Sequence, residues 1–428
     1  MVTRRDLLAR GLPALAGAAL LPPSSAPAAA PPATPAGAAP WPMRRNQVKR
    51  AWLDLLGDFP GEIPPLRPVM KQVAVEHGIT RYHVTFQSEP DDRVTAWLLV
   101  PESARSQPAP AIICIHSTTF GSGKDSTVGL AGRRPVDPPP DLETGRAYGL
   151  LLARHGYVTL SIDLLTDGER VKPGDKVMDT RGFYRQHPEW SIVGKNTWDI
   201  MRSVDFLQTL DFVDRANIGS IGWSLGGQTV LFAAAFEPRI TATVTNGGVL
   251  DWHRKTNSWG RPDDLQNSPE LERRFGFKPN SGPYIFIRKF RPYIADPSLP
   301  IPVDFDSLMM MVAPRPLLVI SSEWEFYSHK VLPKCLEAFK VYLEWRDSEG
   351  LPSVVEARKA RRGYDKTLEY YQFHNKLPPE RIPGMLSQIG AGDCFSWFSF
   401  AGGHGFPREA RNLTFAWYDR WLGHASPA

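Results

Sequence analysis

Cysteine is scarce in this chain, three among 428 residues, so a disulfide framework is excluded and at most one bridge can form. No cysteines and histidines share the spacing of a zinc site, and the ten histidines are scattered, so no metal is expected. Charge of one sign is also modest. The net value is +5, spread evenly, too little for a nucleic-acid footprint or an anionic membrane surface. Beyond the N-terminus no apolar run reaches membrane-spanning length, and no internal repeat is present. What remains, 42% hydrophobic and 22% charged residues, is ordinary for a globular chain with one large domain or two.

The N-terminus has the features of an export signal. Arg4-Arg5 form a twin-arginine n-region, residues 7–21 an interrupted apolar stretch, and Ala26-Pro27-Ala28 a small-residue cleavage site. Removing residues 1–28 takes away three arginines and one aspartate and lowers the net charge from +5 to +3. Residues 29–44, rich in Pro and Ala, are expected to be a linker. The expected destination is periplasmic or secreted, without integral membrane association after cleavage. Cys114 falls in an apolar strand pattern and is expected to be a buried free thiol. Cys335 falls in a helical pattern and Cys394 just before a late strand.

From about residue 80 short β-type runs alternate with helical stretches. Residues 82–87 and 93–100 alternate polar and apolar, as an antiparallel opening pair would. Compact apolar runs at 111–116, 157–163, 218–222, 241–246, 316–321 and 395–400 suit central strands covered on both faces. Helices are expected at 146–155, 197–210, 226–236, 305–312, 330–344 and 409–422. That alternation predicts an α/β fold with one mostly parallel, doubly wound sheet of about eight strands. Residues 251–304, aromatic and Pro-rich, and 346–392, polar and basic, break the pattern and are expected to be lid-like insertions that shape a binding site.

Between the runs at 218–222 and 226–236 lies Gly222-Trp223-Ser224-Leu225-Gly226-Gly227. Strand, Gly-x-Ser-x-Gly, helix is the setting of a nucleophile elbow. The serine must occupy a strained turn, so the residues two before and two after it must be small. A serine hydroxyl needs a base, normally a histidine oriented by a carboxylate. His404, in Gly402-Gly403-His404-Gly405 after the last strand, is the candidate base. Glu325, in the turn after the strand at 316–321, is the candidate acid, with Glu323 and Asp251 as rivals. The oxyanion hole needs two amides. Leu225 supplies one, and Ser117 or Thr118, in the loop after 111–116, the other. His116 is expected to brace that loop.

The order Ser224, Glu325, His404, with the elbow and the His116 loop, resembles the α/β-hydrolase fold, and within it the dienelactone hydrolase and acetyl xylan esterase-like branch. Ile115-His116-Ser117-Thr118, Gly123-Lys124-Asp125, Arg154-His155-Gly156-Tyr157-Val158, Ala313-Pro314-Arg315-Pro316-Leu317-Leu318 and Gly402-Gly403-His404-Gly405-Phe406 carry the likeness. It covers about residues 45–424. Two departures stand out: glutamate where that branch mostly has aspartate, and the 346–392 insertion between acid and histidine. The resemblance implies a serine hydrolase of carboxylic esters without metal or cofactor, on a small-molecule or glycan ester such as acetylated carbohydrate. Lactone hydrolysis, peptidase activity and a catalytically inactive glycan-binding protein are the alternatives. About 80 residues before the first expected strand, 28 of them signal, leave no room for the propeller of prolyl-oligopeptidase-type enzymes. The oligomeric state is not written in the sequence.

Overall fold

Strand alternation and the two faces it creates organise the molecule. The computed structural model describes residues 41–119, 121–130, 145–250, 286–290, 292–293, 296, 298–322, 331, 334–335, 337–342, 344, 394–400 and 404–423. The expected signal, residues 346–392, residues 251–285, and Glu325, Glu323 and Asp251 lie outside them.

Nine strands form one sheet in the order β1-β2-β3-β5-β4-β6-β7-β8-β9. They are β1 (Val69–Glu76), β2 (Ile79–Glu89), β3 (Asp92–Pro101), β4 (Ala109–Ile115), β5 (Val158–Ile162), β6 (Val213–Trp223), β7 (Ile240–Asn246), β8 (Leu317–Ser322) and β9 (Phe395–Phe400). β1, β2, β3 and β5 pair antiparallel, and from β5 to β9 every pairing is parallel. All residues of β4, β5, β8 and β9 are buried, as continuous apolar runs covered on both faces require. The ninth strand beyond the expected eight is β1. It escapes a pattern reading because none of its residues is buried, so no apolar alternation marks it.

Helices cover both faces: α1 (Trp41–Leu56), α2 (Tyr148–Arg154), α3 (Arg181–Gln186), α4 (Ile192–Leu207), α5 (Leu225–Phe236), α6 (Phe305–Val312) and α7 (Arg408–Trp421). Ile113 and Ile115 face one apolar cluster with α1, α4, α5 and α6. Ile112 and Cys114 alternate to the other, with α2 and α7. Every residue of α5 is buried, which makes it a core helix, apolar all round. α4 starts at Ile192, ahead of the expected 197, because the Ser191 hydroxyl caps it by accepting from the Gly194 N–H at 2.9 Å.

The expected linker, 29–44, overlaps α1. Trp41 is buried and Trp52 fully so, with its indole N–H donating to Ser307 Oγ at 2.9 Å. Trp52 also meets Phe232 of α5 edge-on, ring centroids 5.1 Å apart, contacts that a composition reading of Pro and Ala content does not register. All three cysteines are free. Burial holds the Cys114 and Cys335 thiols well above their ordinary range.

Two of the passages that carry the resemblance are clasps. Arg315 donates to the carbonyls of Glu237 (3.1 Å), Ile240 (2.8 Å) and Ala234, satisfying the last turn of α5. Burial lowers its guanidinium to about 10. His155 and Tyr157 both reach Asp419 of α7, at 3.0 and 2.6 Å.

Candidate active site

β6 ends on Trp223, α5 begins on Leu225, and Ser224 alone makes the turn. Its backbone sits at φ +58°, ψ −117°, in a region that favours glycine. Ser224 N–H donates to the Asn246 carbonyl at 2.8 Å, and its own carbonyl accepts from Gln228 N–H at 3.0 Å. The flanking glycines are obligatory. A Cβ on Gly222 would lie 2.1 Å from the Gly226 carbonyl oxygen, and one on Gly226 would lie 2.0 Å from that of Ile115.

That second approach places the start of α5 against the end of β4, where Ser117 and Thr118 follow. Both are half-buried. The N-terminus of α5, the positive end of a helix, and the loop after β4 thus lie against each other beside Ser224. His116 braces the loop: fully buried, its Nε2 lies 3.0 Å from the Leu164 N–H and its Nδ1 2.7 Å from the Ser117 carbonyl. An Nε2 that accepts an amide proton leaves the ring proton on Nδ1, donated to Ser117. The imidazole is fully engaged in holding the loop to the end of β5.

His404 stands exposed after β9, its ring centroid 5.2 Å from that of Trp223. Asn246 links its loop to the elbow. The Asn246 carbonyl takes the Ser224 N–H, while its side-chain amide donates to the Gly405 carbonyl at 2.9 Å. Arg146 also lies over Trp223, its guanidinium 5.5 Å from the ring centroid. Ser224, Leu225, Ser117, Thr118 and His404 are therefore gathered at one edge of the sheet. Glu325, Glu323 and Asp251 lie outside the described residues.

A family model described as "Glucuronyl esterase, fungi" matches residues 175–345, a stretch that contains the elbow. The 4-O-methyl-glucuronoyl methylesterase 1 of Wolfiporia cocos is 26% identical over 242 residues, 52% of this chain and 56% of that protein. The chain thus spans little more than half the length of this curated relative. Among solved structures, the glucuronoyl esterase from Solibacter usitatus aligns with a TM-score of 0.57 at 20% identity, covering 88% of this chain and 92% of that one. A candidate acetyl xylan esterase from Bacteroides fragilis aligns with a TM-score of 0.52 at 19% identity, covering 71% and 72%. The chain has the α/β-hydrolase fold.

Within this fold a buried charge cluster escaped the sequence reading. Asp163, fully buried at the end of β5, accepts from Lys124 Nζ at 2.6 Å, from Lys124 N–H at 2.8 Å and from Thr95 Oγ1 at 2.6 Å. Gly123 and Gly168, at φ +50° and +54°, leave it room: a Cβ on either would lie about 2 Å from the carboxylate. Burial disfavours the Lys124 ammonium, yet Asp163 and Glu169 hold its pKa above the ordinary value. Asp167 ties this turn to the loop carrying Ser117 and Thr118, accepting from Thr119 Oγ1 at 2.9 Å and Gly121 N–H at 2.7 Å. Gly123-Lys124-Asp125 was visible as a motif. Its partners stand some forty residues on, at an apparently ordinary strand end, with no spacing to announce them. Asn246 closes an apolar strand run, and a polar residue there was the available signal.

Proposed function

We propose that this α/β-hydrolase is an exported serine esterase that cleaves a carboxylic ester of a carbohydrate, foremost the ester of a uronic acid. The observation that carries the reading is the glycine-like backbone of Ser224 in a strand-to-helix turn. The esters named in its relatives and the matched family model favour a carbohydrate substrate.

In the proposed cycle His404, oriented by Glu325, takes the proton of Ser224 as its oxygen attacks the ester carbonyl. The amides of Leu225 and of Ser117 or Thr118 hold the oxyanion of the tetrahedral intermediate. His404 then gives the proton to the departing alcohol, leaving an acyl-enzyme. Water, deprotonated by His404, attacks the acyl carbonyl, and Ser224 leaves with its proton restored. Arg4-Arg5 and the apolar stretch after them support export; no described helix is long and apolar enough to cross a membrane.

Intact-mass analysis after exposure to a fluorophosphonate tests the core of this proposal. One adduct is expected on the wild-type chain and none on Ser224→Ala. A wild type that takes no adduct overturns it. Hydrolysis of a methyl glucuronate ester beside acetylated xylo-oligosaccharides then decides the substrate class.

A further inference from the structure

A cavity of about 430 Å³ opens beside the turn that follows β5. Its volume lies within the roughly 300–1,000 Å³ of small-ligand sites. It stands at the same edge of the sheet as Ser224, because β5, β4 and β6 run parallel and adjacent. Leu164 and Asp167, in the turn beside the cavity, bond directly to the His116 loop. The cavity therefore neighbours the candidate site without containing any residue of it.

Its walls combine three features. Charge is dense but balanced: five carboxylates line it against four Lys or Arg side chains. The deepest cations are nearly inaccessible, Lys195 at 1% and Arg170 at 3% side-chain exposure, and both pair with Asp92, at 2.7 and 2.5 Å. An apolar face completes the wall. The Phe183 ring stacks on His187 with centroids 4.9 Å apart, and both residues line the space. Finally, Thr166 holds φ +74°, costly for a β-branched residue, and its carbonyl accepts from Met178 N–H at 2.9 Å. Met178 itself has φ +60°. The Thr166 hydroxyl is buried with no hydrogen-bond partner among the described residues, as is Arg170 Nε.

Each alternative ligand fails on one of these features. An anion would need a surplus of positive charge that the paired walls do not offer. No group of three or more metal-ligating side chains occurs among the described residues. An apolar molecule would desolvate the charged walls without repaying their hydrogen bonds. A hydroxyl both donates and accepts, so it meets the exposed ammonium groups of Lys172 and Lys176 and the exposed carboxylates of Asp91 and Asp175 side by side, and a sugar's C–H face fits an aromatic ring. We propose that this cavity is a binding subsite for a neutral sugar residue of an oligosaccharide, holding part of the glycan remote from the reacting ester. The subsite deepens the carbohydrate-ester reading and rests on it only for the glycan being the one that bears the ester.

Calorimetric titration of wild type with xylotetraose, cellotetraose and maltotetraose tests the subsite without any turnover. At least one is expected to bind. Asp91→Ala, which removes an exposed carboxylate from the rim, and Thr166→Gly are each expected to weaken that binding about fivefold or more. Thr166→Gly also relieves the backbone, so its melting temperature should not fall, and weaker binding then cannot be ascribed to a damaged fold. The proposal is overturned if wild type binds none of the three at millimolar concentration, or if both variants bind as wild type does. A chain that binds a tetraose through these residues yet takes no fluorophosphonate keeps the subsite and loses the esterase reading.

Discussion

A serine held where glycine is preferred stores of order 1–3 kcal/mol of backbone strain. Ser224→Ala keeps that strain and removes the hydroxyl, whereas Ser224→Gly removes both. We expect kcat to fall at least ~10³-fold in either, with Ser224→Gly melting above Ser224→Ala; a calorimetric scan of the pair checks the order. Asn246 acts one bond away, with its carbonyl on the elbow and its amide on the loop of His404. Asn246→Ala should lower kcat about tenfold or more with little change in KM, and Asn246→Asp, which loses the donor, should not rescue it. Steady-state kinetics on a methyl glucuronate ester reads both. At this scale Ser224 was legible because its turn imposes small neighbours in the sequence itself. Asn246 was not, since its two partners come from separate segments and only the folded chain sets them side by side.

Elements built around buried charge give the acid response. Burial opposes ionisation of Asp92, but Arg170 and Lys195 overcome it and hold the carboxyl well below its usual range. Glu169 is likewise opposed by burial and lowered by Lys124 and His83. Groups depressed in the folded state contribute stability that is complete above the ordinary carboxylate value of about 4 and lost as pH falls below it. Urea midpoints should therefore drop between pH 5 and pH 3, and drop less in Asp92→Asn. Lys124→Met would strand Asp163, fully buried, and is expected to cost about 3–5 kcal/mol by denaturant titration. Strands with two covered faces were readable from their apolar runs. β9 (Phe395–Phe400) and α6 (Phe305–Val312) stand at their expected bounds. β1 and α1 were missed for opposite reasons. One buries none of its residues, and the other opens on a buried tryptophan, Trp41, in a stretch whose composition reads as tether.

Among the described residues, apolar packing rests chiefly on two large clusters, one on each face of the sheet, and no disulfide adds to it. The melting temperature should be the same with and without dithiothreitol, and a fall on reduction would mean a bridge forms in solution. The general architecture was legible because alternating strand and helix patterns admit few topologies. The charge cluster behind the His116 loop was not, because ion pairs between distant segments leave no periodic trace.

The sheet ends on β1, and among the described residues no strand lies beyond its last row of backbone groups. Val69 and Val75 are about 60% exposed there and Val73 43%, so the rim offers both the hydrogen-bonding template and the side chains for templated strand addition. A register break between Gln72 and Ala74 and the charge of Lys71 interrupt that template halfway along. The eight residues of β1 are thus a candidate contact strip for self-association, far in sequence from the catalytic candidates. A lysine in place of Val73 would lengthen shelf life without touching the reaction.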